Sequence, residues 1–223
     1  MAARVVFEEK LNKLNDKIMM MARMVENMLK ETISAVIECN QSLAQKIINE
    51  DTIINDMQIR IEKESALLIA HYQPVAKDLR FIIGSVKIVT DLERIADQCG
   101  DICEYSIMIQ DGSWNREENY KRHIEDMALD VQEMMNKALN AYVSKDENTI
   151  REVSQYDDVI DDIFIKIRKE LMGKMKSDEA FVENGVDYVM IIKYLERIAD
   201  HITNIVEWIL YTLSGEYKLH QDI

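Results

Sequence analysis

What most constrains this chain is a repetition with charge at its centre. The segment Val89-Thr-Asp-Leu-Glu-Arg-Ile-Ala-Asp97 returns 103 residues later as Ile192-Lys-Tyr-Leu-Glu-Arg-Ile-Ala-Asp200. The run from Leu92 to Asp97 is identical to that from Leu195 to Asp200, and the match continues through Ile102/Ile205 and Glu104/Glu207 to Gly112/Gly215. Upstream the offset becomes 106: Val25, Met28, Ala35 and Asp51 align with Val131, Met134, Ala141 and Asp157, and Ile54, Asp56, Ile59, Ile61, Lys63 and Glu64 with Ile160, Asp162, Ile165, Ile167, Lys169 and Glu170. A change of three residues between the two offsets belongs in a turn. A chain that states one unit twice builds two copies of one supersecondary structure.

That unit is helical. One proline and six glycines in 223 residues leave almost nothing to break a helix, and an aromatic share of 7% with 14 methionines points the same way. Apolar residues recur at helical spacing: Leu11, Leu14, Ile18, Met21, Val25, Met28, Thr32 and Ala35 share one face of a first helix over about Glu8 to Cys39. A second helix is predicted over Leu43 to His71. Pro74 stops it and stands in the first turn of a third, which ends near Gln110. Asn115 caps a fourth helix that lasts to Val143, a fifth covers Glu147 to Met175, and Ser177 or Asp178 caps a sixth that ends before Gly215. Short turns make neighbours antiparallel, and helices of about 30 residues span about 45 Å. The expected fold is all-α: two similar antiparallel three-helix bundles, residues 1–112 and 113–223, each with an independent core, joined near Gly112 to Asn115.

Charge narrows the function classes. With 41 acidic against 27 basic residues the chain carries −14, so it has no surplus of bases for neutralising nucleic-acid phosphates. No apolar run reaches the length of a membrane span, and Met1 to Lys10 mix charged and apolar residues, unlike a secretory leader. A cytoplasmic protein is expected. Cys39, Cys99 and Cys103 form no disulfide framework, and Cys99 with Cys103 is read as a buried apolar pair. None of His71, His123, His201 and His220 has a glutamate three residues before it, so the Glu-x-x-His pattern of di-iron bundles is missing. There is no phosphate-cradling loop and no nucleophile elbow. Nothing here argues for an enzyme.

The charge at the centre of the repeat has a pattern. Glu93, Asp97, Asp101 and Glu104 fall at about 0°, 40°, 80° and 20° around a helix, one narrow stripe. The second copy reads Glu196, Asp200, Asn204 and Glu207. Like charges at this spacing repel by a few tenths of a kcal/mol per pair. A bound cation would offset that, and oxygen donors suit Mg²⁺, Mn²⁺ or Fe rather than soft metals. Asp51 and Asp157 are repeat-equivalent on the second and fifth helices, and Asp161 follows Asp157 where the first copy has Asn55. Spacing alone leaves two readings open, a cation site or a solvated face balanced by bases such as Arg94 and Arg197.

These residues resemble the PhoU family of bacterial phosphate-signalling regulators, and the resemblance covers essentially the whole chain. Its marks are Gln73-Pro-Val-Ala-Lys-Asp-Leu-Arg80 and the two Leu-Glu-Arg-Ile-x-Asp cores. The resemblance implies bundles lying side by side, and metal ions (Fe, Zn, Mn or Mg) held by Glu93 and Asp97 and by Glu196 and Asp200, supported by Asp51 and Asp157. It implies a negative regulator, often a homodimer, that links a phosphate ABC transporter ATPase to a sensor histidine kinase. The protein would then lie against the inner face of the membrane without inserting into it. The chain departs from the family where Ala96 and Ala199 stand for its usual glycine, and where Asn55 and Asn204 give the two copies different charge. Two rival classes are a carboxylate-rich metal-binding, storage or metal-enzyme bundle, and a helical adaptor whose stripes hold nothing.

Overall fold

The structure, a computed structural model, describes residues 2–109 and 118–215. These residues form six helices: α1 (Ala2–Ile37), α2 (Gln41–Tyr72), α3 (Ala76–Met108), α4 (Glu118–Ser144), α5 (Glu147–Ser177) and α6 (Val182–Ser214), the last preceded by a single 3₁₀ turn, Glu179–Phe181. The predicted stripe of α1 is its buried face, with Leu14, Ile18, Met21, Val25 and Thr32 sealed from solvent. The helix starts well before Glu8, because Phe7 is also drawn into the core, where its ring meets Tyr72 at 5.0 Å.

Local chemistry sets the turns. Cys39 takes a left-handed φ of 53°, and the side chain of Asn40 accepts the Leu43 N–H at 3.0 Å, capping α2. Pro74 does not open α3 as expected. A residue before proline is pushed out of the right-handed helical region, so α2 stops at Tyr72 and Gln73 turns left-handed at φ 47°. Val75 stays extended, and α3 begins only at Ala76. Asp146 caps α5 by accepting from the N–H groups of Asn148 and Thr149. The cap expected for the sixth helix is also displaced: α5 runs through Ser177, and Asp178 closes it with an ion pair to Lys174 at 3.0 Å. The 3₁₀ turn then drops Phe181 into the core beside Tyr120 and Tyr188. Gly215, at φ 81°, ends α6 as expected. The expected junction from Gly112 to Asn115, with its helix cap, lies outside the described residues.

Helices α1, α2 and α3 pack on one another, as do α4, α5 and α6, giving two bundles. The most extensive helix pair, however, joins the halves: α3 lies along α6, with α1 against α4 beside it. Buried apolar side chains form one continuous cluster through both halves. The expectation of two independent cores is therefore corrected. Helical periodicity shows which residues are buried, not against which partner, and α3 and α6 are buried on two sides. They pack tightly at Gly84, where a Cβ would stand 2.4 Å from Cγ2 of Thr212. Ala96 and Ala199, one residue before the two motif aspartates, are fully buried, so their methyl groups are accommodated within the packing.

Candidate functional site: two carboxylate clusters and the seam between them

In the first bundle, α2 and α3 bring Asp51, Glu93, Asp97 and Asp101 within electrostatic reach of one another. Asp51 Oδ2 accepts from Asn55 at 3.2 Å, while its buried Oδ1 meets no donor. Glu93 is buried, and its Oε2 also lacks a hydrogen-bond donor. The nearest cation to it is the exposed Arg94, with Nε at 3.6 Å. Loss of water, then the neighbouring carboxylates Asp97 and Asp101, push the Asp51 carboxyl up to about 6. Glu93 and Asp101 are raised for the same leading reason, burial, with Asp97 and, for Asp101, Glu104 adding to it.

The second bundle repeats the cluster with Asp157, Asp161, Glu196 and Asp200. Asp200 keeps an edge open to solvent, yet partial burial of its carboxylate, then Glu196, Asp157 and Asp161, push it up to about 6. One basic group works against them: Lys193, whose Nζ donates to Glu196 Oε2 at 2.5 Å. Asp157 is buried and Asp161 exposed.

Asp101 and Asn204, paired in the sequence pattern with these clusters, turn toward the seam between the bundles. Asp101 faces Tyr194 on α6, close enough that each shifts the other's titration: the hydroxyl favours the Asp101 carboxylate, and the carboxylate raises the tyrosine. Asn204 donates to Asp91 Oδ1 on α3 at 3.4 Å, and His201 Nδ1 lies 2.9 Å from the same oxygen. Asp91 and Tyr194 are themselves equivalent in the repeat, so the two contacts are mates. Sequence reasoning missed Asp91, His201 and Tyr194. The offset of 103 relates Asp91 to Tyr194, but nothing in the spacing says that α3 and α6 face each other.

The donor sets fit a hard cation better in chemistry than in closure. Among the described residues no three acidic, imidazole or thiol side chains converge into a ready coordination shell. The buried, donor-free oxygens of Asp51 and Glu93 are nonetheless oxygen ligands in need of positive charge. Cys99 and Cys103 are buried with their thiols raised by that burial, as expected of an apolar pair. A groove of about 510 Å³ opens elsewhere, between Met19, Phe81, Tyr142 and Leu213, and none of these carboxylates lines it. No described helix is long and apolar enough to cross a membrane.

Comparison with known proteins follows the repeat. The family model described as PhoU domain matches twice, at residues 18–106 and 124–209. The phosphate-specific transport system accessory protein PhoU homolog of Clostridium acetobutylicum is 35% identical over 214 residues, 96% of each chain. The Pseudomonas aeruginosa homolog is 31% identical over 96% of this chain and 88% of its own. Among solved structures, the phosphate transport system regulatory protein PhoU from Streptococcus pneumoniae superposes with a TM-score of 0.88 at 29% identity, covering 96% of this chain and 99% of that one. PhoU from Pseudomonas aeruginosa gives 0.87 at 31% identity, covering 94% and 100%. With both halves matched, relatives similar from end to end and the same duplicated helical fold, the chain belongs to the PhoU family.

Proposed function

We propose that this protein is a non-enzymatic accessory regulator of a phosphate transport system. It contacts the transporter ATPase at the cytoplasmic face of the membrane and a sensor histidine kinase, and it restrains phosphate uptake and phosphate-starvation genes when phosphate is plentiful. The observation that carries this reading is the end-to-end likeness, through both repeats, to proteins named as accessory to phosphate-specific transport. The architecture suits such a role. Helices of 27 to 36 residues, locked along one seam, offer long rigid faces on which partners dock with little ordering cost. A homodimer is part of the same proposal.

Metal binding belongs to it as well. Glu93 and Asp97, with Asp51 and Asp101, would hold a cation in the first bundle; Glu196 and Asp200, with Asp157 and Asp161, would do so in the second, with Asn204 at its margin. A bound Fe, Zn, Mn or Mg ion supplies positive charge to carboxylates that otherwise repel. The protein's own contribution is to fix those carboxylates on paired helices, so that an ordered face replaces a repulsive one.

Deletion of the gene tests the reading. In phosphate-rich medium the deletion strain should express an alkaline phosphatase reporter that the parent keeps silent, and tagged protein should capture the transporter ATPase. A deletion strain with normal repression and unchanged phosphate uptake would refute the regulatory role.

A further inference from the structure

Helices α1 and α4 are repeat mates that cross beside the α3–α6 seam, and the two ends of their crossing differ. At one end Ile33, Val36, Ile124 and Ala128 help to enclose about 10 Å³, room for about one water. The other end is marked by the Tyr142 hydroxyl, which donates to Asn15 Oδ1 at 2.8 Å. There the packing is open. The groove of about 510 Å³, with apolar Phe81, Ile209 and Leu213 in its lining, continues into a second depression of about 430 Å³. Met19 and Val143 line both, and Val143 is 65% exposed. The resulting trough follows α1 from Leu11 to Glu26, about 22 Å at the rise of an α-helix.

We infer that this trough docks a helix of a protein partner, about four turns long, with an apolar stripe on one face and acidic residues at one end. The apolar lining takes the stripe, as grooves between helices take amphipathic helices. Charge places the acidic end. Lys77, in the first turn of α3, and Lys145, just past α4, both line the groove and are exposed. Among the described residues the one acid in that lining, Asp78, is held by Arg4 at 2.7 Å. Two ammonium groups therefore stand over apolar surface on a chain that carries −14. At the far end of the trough Arg23 and Lys137 are balanced by Glu26 and Glu133, so the positive charge lies at one end alone. The turn itself does not call for it. Lys145 is left-handed at φ 57°, its N–H donating to the Ala141 carbonyl at 2.8 Å, and its repeat counterpart Cys39 makes the same turn at φ 53° without a charge. The docking site asks nothing of the carboxylate clusters, so it and the regulatory reading can fail separately.

The test uses the full-length chain and a fluorescein-labelled helical peptide of about 15 residues, with leucines along one face and glutamates at one end. A second peptide carries lysines in place of the glutamates. By fluorescence anisotropy in low-salt buffer, wild type should bind the acidic peptide about tenfold more tightly than the basic one. That preference should shrink as salt rises. Lys77→Glu with Lys145→Glu should reverse it; both positions are exposed, and circular dichroism checks that the variant is folded. Val143→Asn should weaken both peptides alike. The methyl resonance of Met19 should shift on binding, while that of Met172, exposed on α5, stays in place. No binding of the acidic peptide by wild type, equal affinity for the two peptides, or an unmoved Met19 resonance would overturn the proposal. So would a dimer in sedimentation that Val143→Asn breaks, because the occupant would then be a second copy of this chain.

Discussion

Mild acid should stabilise the metal-free protein, the reverse of ordinary acid denaturation. Asp51 and Asp200 are both held at about 6 against an ordinary 3.8. A carboxylic acid whose folded pKa is raised binds its proton more tightly folded than unfolded. Stability therefore falls as pH rises from the unfolded value through about 6, and it returns as pH falls through that same window. For a sealed group, two units would amount to about 3 kcal/mol. Asp51 is half-buried and Asp200 open on one side, so screening reduces each to on the order of 1 kcal/mol. Glu31, beside Lys46, and Asp146, at its helix cap, are shifted the other way. Their stabilisation is lost only as pH falls through values below their ordinary range, outside the window. Moving from about pH 7 to about pH 5 should then raise the melting temperature of chelator-treated protein by roughly 3 to 6 °C. Scanning calorimetry across that range, on wild type and on the Asp51→Asn/Asp200→Asn variant, is the assay. The variant should start more stable at neutral pH and respond weakly to acid; His123 and His201 are common to both proteins, so the difference between the curves reports the aspartates. A wild-type protein that loses stability steadily from pH 7 to pH 5, or a variant with an undiminished acid response, would show that Asp51 and Asp200 are not what acid stabilises.

Three further outcomes follow from the packing. Gly84→Ala should destabilise by about 1 to 3 kcal/mol in urea melts, because its new methyl overlaps Thr212, and Gly84→Ala/Thr212→Ser should recover much of the loss. Asp91→Ala should cost about 1 to 2 kcal/mol by leaving His201 and Asn204 without their shared acceptor, and a urea midpoint unchanged from wild type would show the seam contact to be idle. A fragment from Asn115 onward should stay helical by circular dichroism but unfold without cooperativity or self-associate, since α6 loses the face it buries against α3; a sharp monomeric transition would restore the case for independent cores.

The duplication, the six helices and the buried face of α1 were legible because helical periodicity and repetition are local signals. Boundaries were less so. The left-handed turn at Gln73 and the burial of Phe181 displaced two helix starts, and both depend on what the neighbouring chain packs against. The clusters were legible in composition, since Glu93, Asp97 and Asp51 do gather. Their environments were not. Asn204 turns to Asp91, and Lys193 finds both Glu196 and Phe164, through relations between helices that no single-helix pattern encodes.

The two seam contacts have a further consequence. Residue 101 in one half meets residue 194 in the other, and their repeat counterparts, 204 and 91, meet in return. This reciprocal exchange is the signature of a two-fold, self-complementary interface, the kind that joins two identical subunits. Here both subunits lie on one chain. A contact between separate copies weakens on dilution, whereas this one is intramolecular and holds at any protein concentration. Fusion also removes the demand that both sides stay the same. In a true symmetric pair any change at position 91 would appear twice; in the fused chain one side is aspartate, Asp91, while its counterpart is tyrosine, Tyr194.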